Sequence, residues 1–136
     1  MDIDNILMGV HPASIDSGNG TTLPAKFRRN LEAVMGKHYY LLISKNIIDE
    51  SKILTFEPIL KDVYNALVDT FETSELECLS GKVISEVRKN GKVALTAPFV
   101  KFLNSQKGDN YYFVGCGEYC ELYKSEKSYT EFYNRI

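Results

Sequence analysis

Basic side chains cluster at two places in the sequence. Arg88, Lys89 and Lys92 fall within five positions around Asn90-Gly91, and Lys26 and Arg28 follow Pro24. A turn lifts its side chains away from the backbone, and Asn and Gly accept the positive φ angles that tight turns demand. Cations displayed in this way suit phosphate neutralisation, in which counterions are released as lysine and arginine approach a nucleic-acid backbone. That is binding chemistry, and the sequence offers little for bond making. Only His11 and His38 are present, so a histidine-based mechanism has scant material. No Ser–His–acid arrangement and no phosphate loop stands out, and Gly115-Cys116-Gly117 reads as a tight hairpin turn. Cys116 and Cys120 with His38 make a weak zinc set, because C-x-x-x-C spacing is unspecific and His11 precedes a proline. No catalytic residue, no metal, no cofactor and no small-molecule substrate is expected.

The elements around these clusters occur twice. A shift of 72 positions carries Leu23 onto Leu95, Ala25 onto Ala97, Phe27 onto Phe99 and Leu31 onto Leu103. Without a gap, it also carries Gly36, Tyr39 and Tyr40 onto Gly108, Tyr111 and Tyr112. One offset serving separate patches points to a tandem duplication of one structural module. The chain is expected to be a single domain, 1–136, of two repeats at about 8–72 and 80–136.

Composition is that of a globular protein: 44% hydrophobic and 25% charged over 136 residues, enough chain to bury a core without staples. No window approaches the roughly 20 apolar residues of a membrane helix, and the N-terminus lacks the pattern of a signal peptide. Three cysteines, Cys78, Cys116 and Cys120, are odd in number and fit a reducing cytoplasm better than a disulfide framework. Net charge is −2, so the sum does not announce nucleic-acid binding. The distribution is more informative. Glu57 to Ser80 holds six acids and one base, Lys61, whereas the repeat cores are basic. Solvated charge is the plain alternative for each cluster.

Each half reads as β-turn-β-α-β-β-α, an α+β arrangement with a mainly β core. Met1–Leu7 is expected to be a loose arm, and Pro12 to interrupt a weak strand over Met8–Ile15. Asp16 precedes the turn cluster Ser17-Gly18-Asn19-Gly20, and its side chain suits capping that turn. Thr21–Leu23 is a short strand, Pro24 suits the first position of a helix, and Gly36 suits its end. Tyr39–Ile43 and Ile53–Phe56 read as a hairpin across a loop containing Asn46 and Asp49. Pro58 is expected to open a second helix with Ile59, Val63, Leu67 and Phe71 as its apolar stripe. In the second half, Val83–Val87 and Lys92–Leu95 flank Lys89-Asn90-Gly91, read as a hairpin turn. A helix near Pro98, strands Tyr111–Val114 and Cys120–Tyr123, and a last helix capped by Ser125 complete it. The Tyr pairs at 39–40 and 111–112 invite a stacking role, but their apolar strands favour packing. Two halves joined covalently can hide each other's sheet edges in a small barrel.

These residues resemble the MraZ family, whose repeats are of the AbrB-like (SpoVT-AbrB) class. The family pattern runs approximately G-x-x-x-x-x-I-D-x-K-G-R-hydrophobic-x-hydrophobic-P-A-x-F-R. Gly9, Ile15, Asp16, Leu23, Pro24, Ala25, Phe27 and Arg28 match it in register, and Gly91, Val93, Leu95 and Phe99 match in the second half. The segment Val114-Gly115-Cys116-Gly117 with Glu121-Leu122-Tyr123 is similar to the family's second hairpin. Coverage is about Met8 to Phe132. The resemblance implies a swapped-hairpin, double-psi-like barrel with outer helices. It also implies a cytoplasmic, nucleoid-associated transcriptional regulator that binds repeated promoter boxes of its own cell-division and cell-wall operon as a ring-like homo-oligomer, without catalysis.

The match departs where DNA contact is expected. The family's lysine and arginine positions in the first repeat are Gly18 and Gly20, and glycine brings no charge. In the second repeat the aspartate position is Arg88 and the arginine position is Lys92, so basic character survives without an acid–base pair. Lysine lacks the bidentate fork of arginine. By carry-over, the DNA-binding candidates are Arg88, Lys89, Lys92, Lys26 and Arg28, on motif and turn positions Asp16, Gly20, Asn90 and Gly91. A helix-face or oligomer contact is the alternative for Arg28 and Arg29. The rival reading of the whole chain is a structural or protein-interaction oligomer of the same fold with weakened DNA readout. A dimeric AbrB-type regulator or antitoxin fits less well, since such chains usually carry one module.

Overall fold

Phe27 and Leu31, one turn apart, direct one face of the first helix inward. In the computed structural model, which describes residues 6–70 (67–70 by backbone alone), 82–106 and 108–124, both side chains are buried on helix α1, Ala25–Met35. Pro24 stands one position earlier than expected: its extended backbone (φ −54°, ψ 142°) delivers strand β2 to the helix as an N-cap. Gly36, at φ 84°, ends it, and its N–H donates to the Glu32 carbonyl.

The remaining elements are β1 (Val10–Ala13), β2 (Gly20–Thr22), β3 (Tyr40–Ile48), β4 (Ser51–Ile59), α2 (Lys61–Thr70), β5 (Lys82–Glu86), a 3-10 turn (Lys89–Gly91), β6 (Lys92–Ala94), α3 (Ala97–Phe102), β7 (Tyr111–Gly115) and β8 (Cys120–Lys124). The fold is α+β and mainly strand. All strand pairs are antiparallel, in a six-stranded sheet of order β1-β7-β8-β4-β3-β5 and a two-stranded sheet β2-β6. No helix among the described residues is long and apolar enough to cross a membrane.

Exchange the halves and the six-strand order reads the same from its other end. β1 borders the hairpin of the second half through Val10↔Val114, and β5 borders the hairpin of the first through Ile43↔Val83. The two hairpins meet at Phe56↔Cys120. In the small sheet Thr21 faces Val93, the residue 72 positions away. The turns follow the same rule. Asp16 N–H donates to Gly20 and Arg88 N–H to Lys92; Leu23 N–H donates to Gly91 and Leu95 N–H to Asn19. One core joins the halves, with Leu23, Phe27 and Leu41 packed in the same cluster as Leu95, Phe99 and Phe113. Phe113 meets Phe27 and Phe56 edge-on, at centroid separations of 6.3 and 5.3 Å. Each such side chain contributes about 1.5–3 kcal/mol by leaving water.

Several expectations are corrected. Lys89-Asn90-Gly91 is not a hairpin turn, because β5 pairs with β3 and β6 with β2; long-range pairing overrides the local reading, and the turn passes the chain between sheets. Pro58 lies in β4 opposite Leu41, and α2 begins at Lys61. Proline is tolerated there because the pairing of β4 with β8 ends at Phe56. Asn46 belongs to β3, which runs on to a two-residue turn at Asp49-Glu50, both at positive φ (49° and 70°). Val63 of the expected apolar stripe is 48% exposed, while Ile59 ends β4 and is buried; the Leu67 side chain and Phe71 lie outside the described residues. Ile6 and Leu7 are core residues, not part of a loose arm. Met1–Asn5, residues 71–80 of the acidic connector and the helix expected after Ser125 fall outside the described residues.

Candidate nucleic-acid interface

Gly91 organises the basic turn. It is buried at φ 78°, a backbone conformation that disfavours side chains, and its carbonyl accepts the Leu23 N–H at 2.9 Å. A Cβ there would lie 3.0 Å from Cδ of Arg28. The absent side chain lets the Arg28 stem cross the turn, which brings α1 against Arg88, Lys89 and Asn90. Arg28, Arg88, Lys89 and Asn90 line one cleft of about 550 Å³ together with Glu32, Lys37, His38, Tyr39, Glu86 and Val87. Four cations there face two carboxylates. Glu86 lies 3.9 Å from His38 Nδ1, and among the described residues Arg28, Lys37, Arg88 and Lys89 make no ion pair within 4 Å. Their charge is available to an anion.

Lys92 is differently placed. Its Nζ lies 2.9 Å from Oδ2 of Asp16, while Oδ1 of Asp16 accepts the N–H groups of Gly18 at 2.8 Å and Gly20 at 3.0 Å. Asp16 therefore caps its turn, as its position predicts. The Lys92 contact first, and then the backbone donors, hold its carboxyl below the usual carboxylate range. A Cβ on Gly20 would stand 3.0 Å from Cε of Lys92 and 3.2 Å from Oδ2 of Asp16. The stem of Lys92 fills the space beside Gly20. An acid–base pair absent within each half is thus present between them. Lys26 is exposed on α1 and does not line the cleft.

Lys37, His38, Tyr39, Glu32 and Glu86 join the cleft without having been among the DNA-binding candidates. Lys37 and His38 follow the helix-ending Gly36, a signal that side chains there are free to turn toward a neighbour; the Tyr39–Tyr40 pair invited stacking, but its apolar strand favoured packing. Tyr39 and Tyr111 are indeed buried, and Tyr40 stacks on Tyr64 at 3.7 Å between centroids. No group of three potential metal ligands gathers among the described residues. Cys116 donates toward Oε1 of Glu121 at 3.5 Å, and burial, then the Glu121 charge, pushes its thiol up to about 12. The Gly115–Gly117 turn packs the N-terminal segment: Leu7 exchanges two backbone hydrogen bonds with Gly117, and a Cβ on Gly115 would lie 2.5 Å from the Leu7 carbonyl oxygen. No family model and no curated protein matches the chain.

Proposed function

We propose that this chain is a DNA-binding transcriptional regulator of the MraZ kind. In this reading, two duplicated modules close a swapped-hairpin, double-psi-like barrel, and the protomers form a ring-like homo-oligomer. The exchange of β1 and β5 between hairpins supports the duplication and the barrel. The observation that carries the function is the assembly of Arg28, Arg88 and Lys89 about the Gly91 turn, without an ion-pair partner among the described residues. Phosphate neutralisation by these side chains gives affinity, with a salt slope of about −0.9 per phosphate contacted. One protomer offers few contacts. A ring presenting several turns to repeated promoter boxes gains roughly 10²–10⁴ in avidity where geometry allows simultaneous engagement. The protein acts in the cytoplasm at the nucleoid, without catalysis or cofactor.

The second reading, an interaction oligomer with weakened DNA readout, is favoured by the Asp16–Lys92 pair, which neutralises one of the turn's three cations. Fluorescence anisotropy separates the two, with DNA from upstream of the chain's own gene compared with a scrambled duplex. Tighter, salt-sensitive binding to the upstream DNA is the regulator's signature. Absence of binding to either duplex by the assembled oligomer at low salt overturns it.

A further inference from the structure

The basic cleft has a counterpart in the other half, and the two differ in chemistry. Residues 72 positions apart line both: Val100 stands for Arg28, Asp16 for Arg88 and Ser17 for Lys89 in a second cleft of about 380 Å³. The tyrosines differ too. Tyr111 donates its hydroxyl hydrogen to Oγ of Ser105 at 2.5 Å. Tyr39, its equivalent, is 2% exposed, and its hydroxyl has no hydrogen-bond partner among the described residues. The reason is local. Helix α3 ends at Phe102, so Ser105 is free to approach, whereas α1 is still running at the corresponding Ala33.

A buried hydroxyl without a partner costs stability, and such groups are rare enough to need a cause. Here it coincides with the cleft whose four cations make no ion pair within 4 Å among the described residues. Tyr39 lines that cleft together with Arg28 and Glu32. Burial pushes the phenol up to about 12, so it remains a proton donor at neutral pH. The cleft volume is within the usual range for small-molecule sites, roughly 300–1,000 Å³. Arg88 and Lys89 are exposed, whereas Tyr39 is buried.

We propose that the cleft between α1 and the basic turn binds a phosphate-bearing small molecule of nucleotide size, its phosphoryl oxygens meeting Arg28, Arg88, Lys89 and the hydroxyl of Tyr39. The site shares Arg28, Arg88 and Lys89 with the DNA reading and does not rest on it. Occupancy withdraws those side chains from DNA phosphates, so such a ligand competes with DNA.

The test is isothermal titration calorimetry of the full chain with adenosine monophosphate and with inorganic phosphate, at matched ionic strength. Saturable binding is expected for wild type. Tyr39→Phe, which removes one hydrogen bond to a charged group and nothing else, is expected to weaken it by about ten-fold or more. Arg88→Ala is expected to weaken it as well. No saturable binding at millimolar ligand overturns the proposal, as does equal affinity in wild type and Tyr39→Phe. Duplex binding is followed separately by anisotropy. Mononucleotide binding without duplex binding supports the cleft and defeats the DNA reading. Duplex binding weakened by Tyr39→Phe, with no mononucleotide binding, identifies the phosphate as that of DNA and defeats the small-molecule site.

Discussion

Replacing Asp16 with asparagine is expected to strengthen DNA binding, although it alters a motif residue. Asn retains a side-chain oxygen that can accept from Gly18 and Gly20, so the turn keeps the two hydrogen bonds that shape it. What disappears is the carboxylate charge 2.9 Å from Lys92. The ammonium, already half exposed, becomes free to meet a phosphate, and a like charge is removed from the binding face. One additional phosphate contact steepens the log–log salt dependence by about 0.9, which amounts to an extra gain of about 3.5-fold between 200 and 50 mM salt. Anisotropy with the upstream duplex across that range measures it. The steepening of the slope should vanish when Asp16→Asn is made on Lys92→Ala, because the cycle then contains no released ammonium, whereas any gain from the lost carboxylate charge remains. An Asp16→Asn protein of unchanged oligomeric state with the wild-type slope, or weaker binding, refutes the claim that Asp16 masks Lys92.

Other consequences follow from the same geometry. Tyr39→Phe removes a buried hydroxyl that has no partner among the described residues and should stabilise the free protein by about 1 kcal/mol, seen as a higher urea midpoint. Gly115→Ala forces Cβ against the Leu7 carbonyl; loss of Leu7 burial and of the backbone bonds it makes with Gly117 should cost about 3 kcal/mol in chemical unfolding. Cys116, with its thiol pushed up to about 12, is almost wholly thiol at neutral and mildly alkaline pH. At pH 9 its thiolate fraction is about 10⁻³, so peptide mapping after iodoacetamide treatment should find it unlabelled in the folded protein, and prompt labelling contradicts its burial.

The 72-residue repeat was legible because both copies kept the apolar residues that face one core: Leu23 and Leu95, Phe27 and Phe99, Leu31 and Leu103 are all buried. Helix α1 and its glycine stop were legible because proline and glycine act on their own backbone. The partners of β5 and β6 were not, since pairing is decided by residues far along the chain, and the basic turn passes for a hairpin when only its neighbours are read. Pro58 misled for a similar reason: its tolerance in β4 depends on where β8 stops. Within the site, charge and turn residues pointed to Arg28, Arg88 and Lys89. The Asp16–Lys92 pair was hidden because it joins the halves. Tyr39 was hidden because an apolar strand looks the same whether or not its hydroxyl finds a partner.

The salt dependence of duplex binding in wild type, Lys89→Ala and Arg88→Ala tests the basic turn most directly. Both residues are exposed, so the substitutions should leave the fold intact. Each lost phosphate contact is expected to reduce the slope by about 0.9 and to weaken binding at low salt. Slopes and affinities equal to wild type in both variants would contradict DNA binding through this turn.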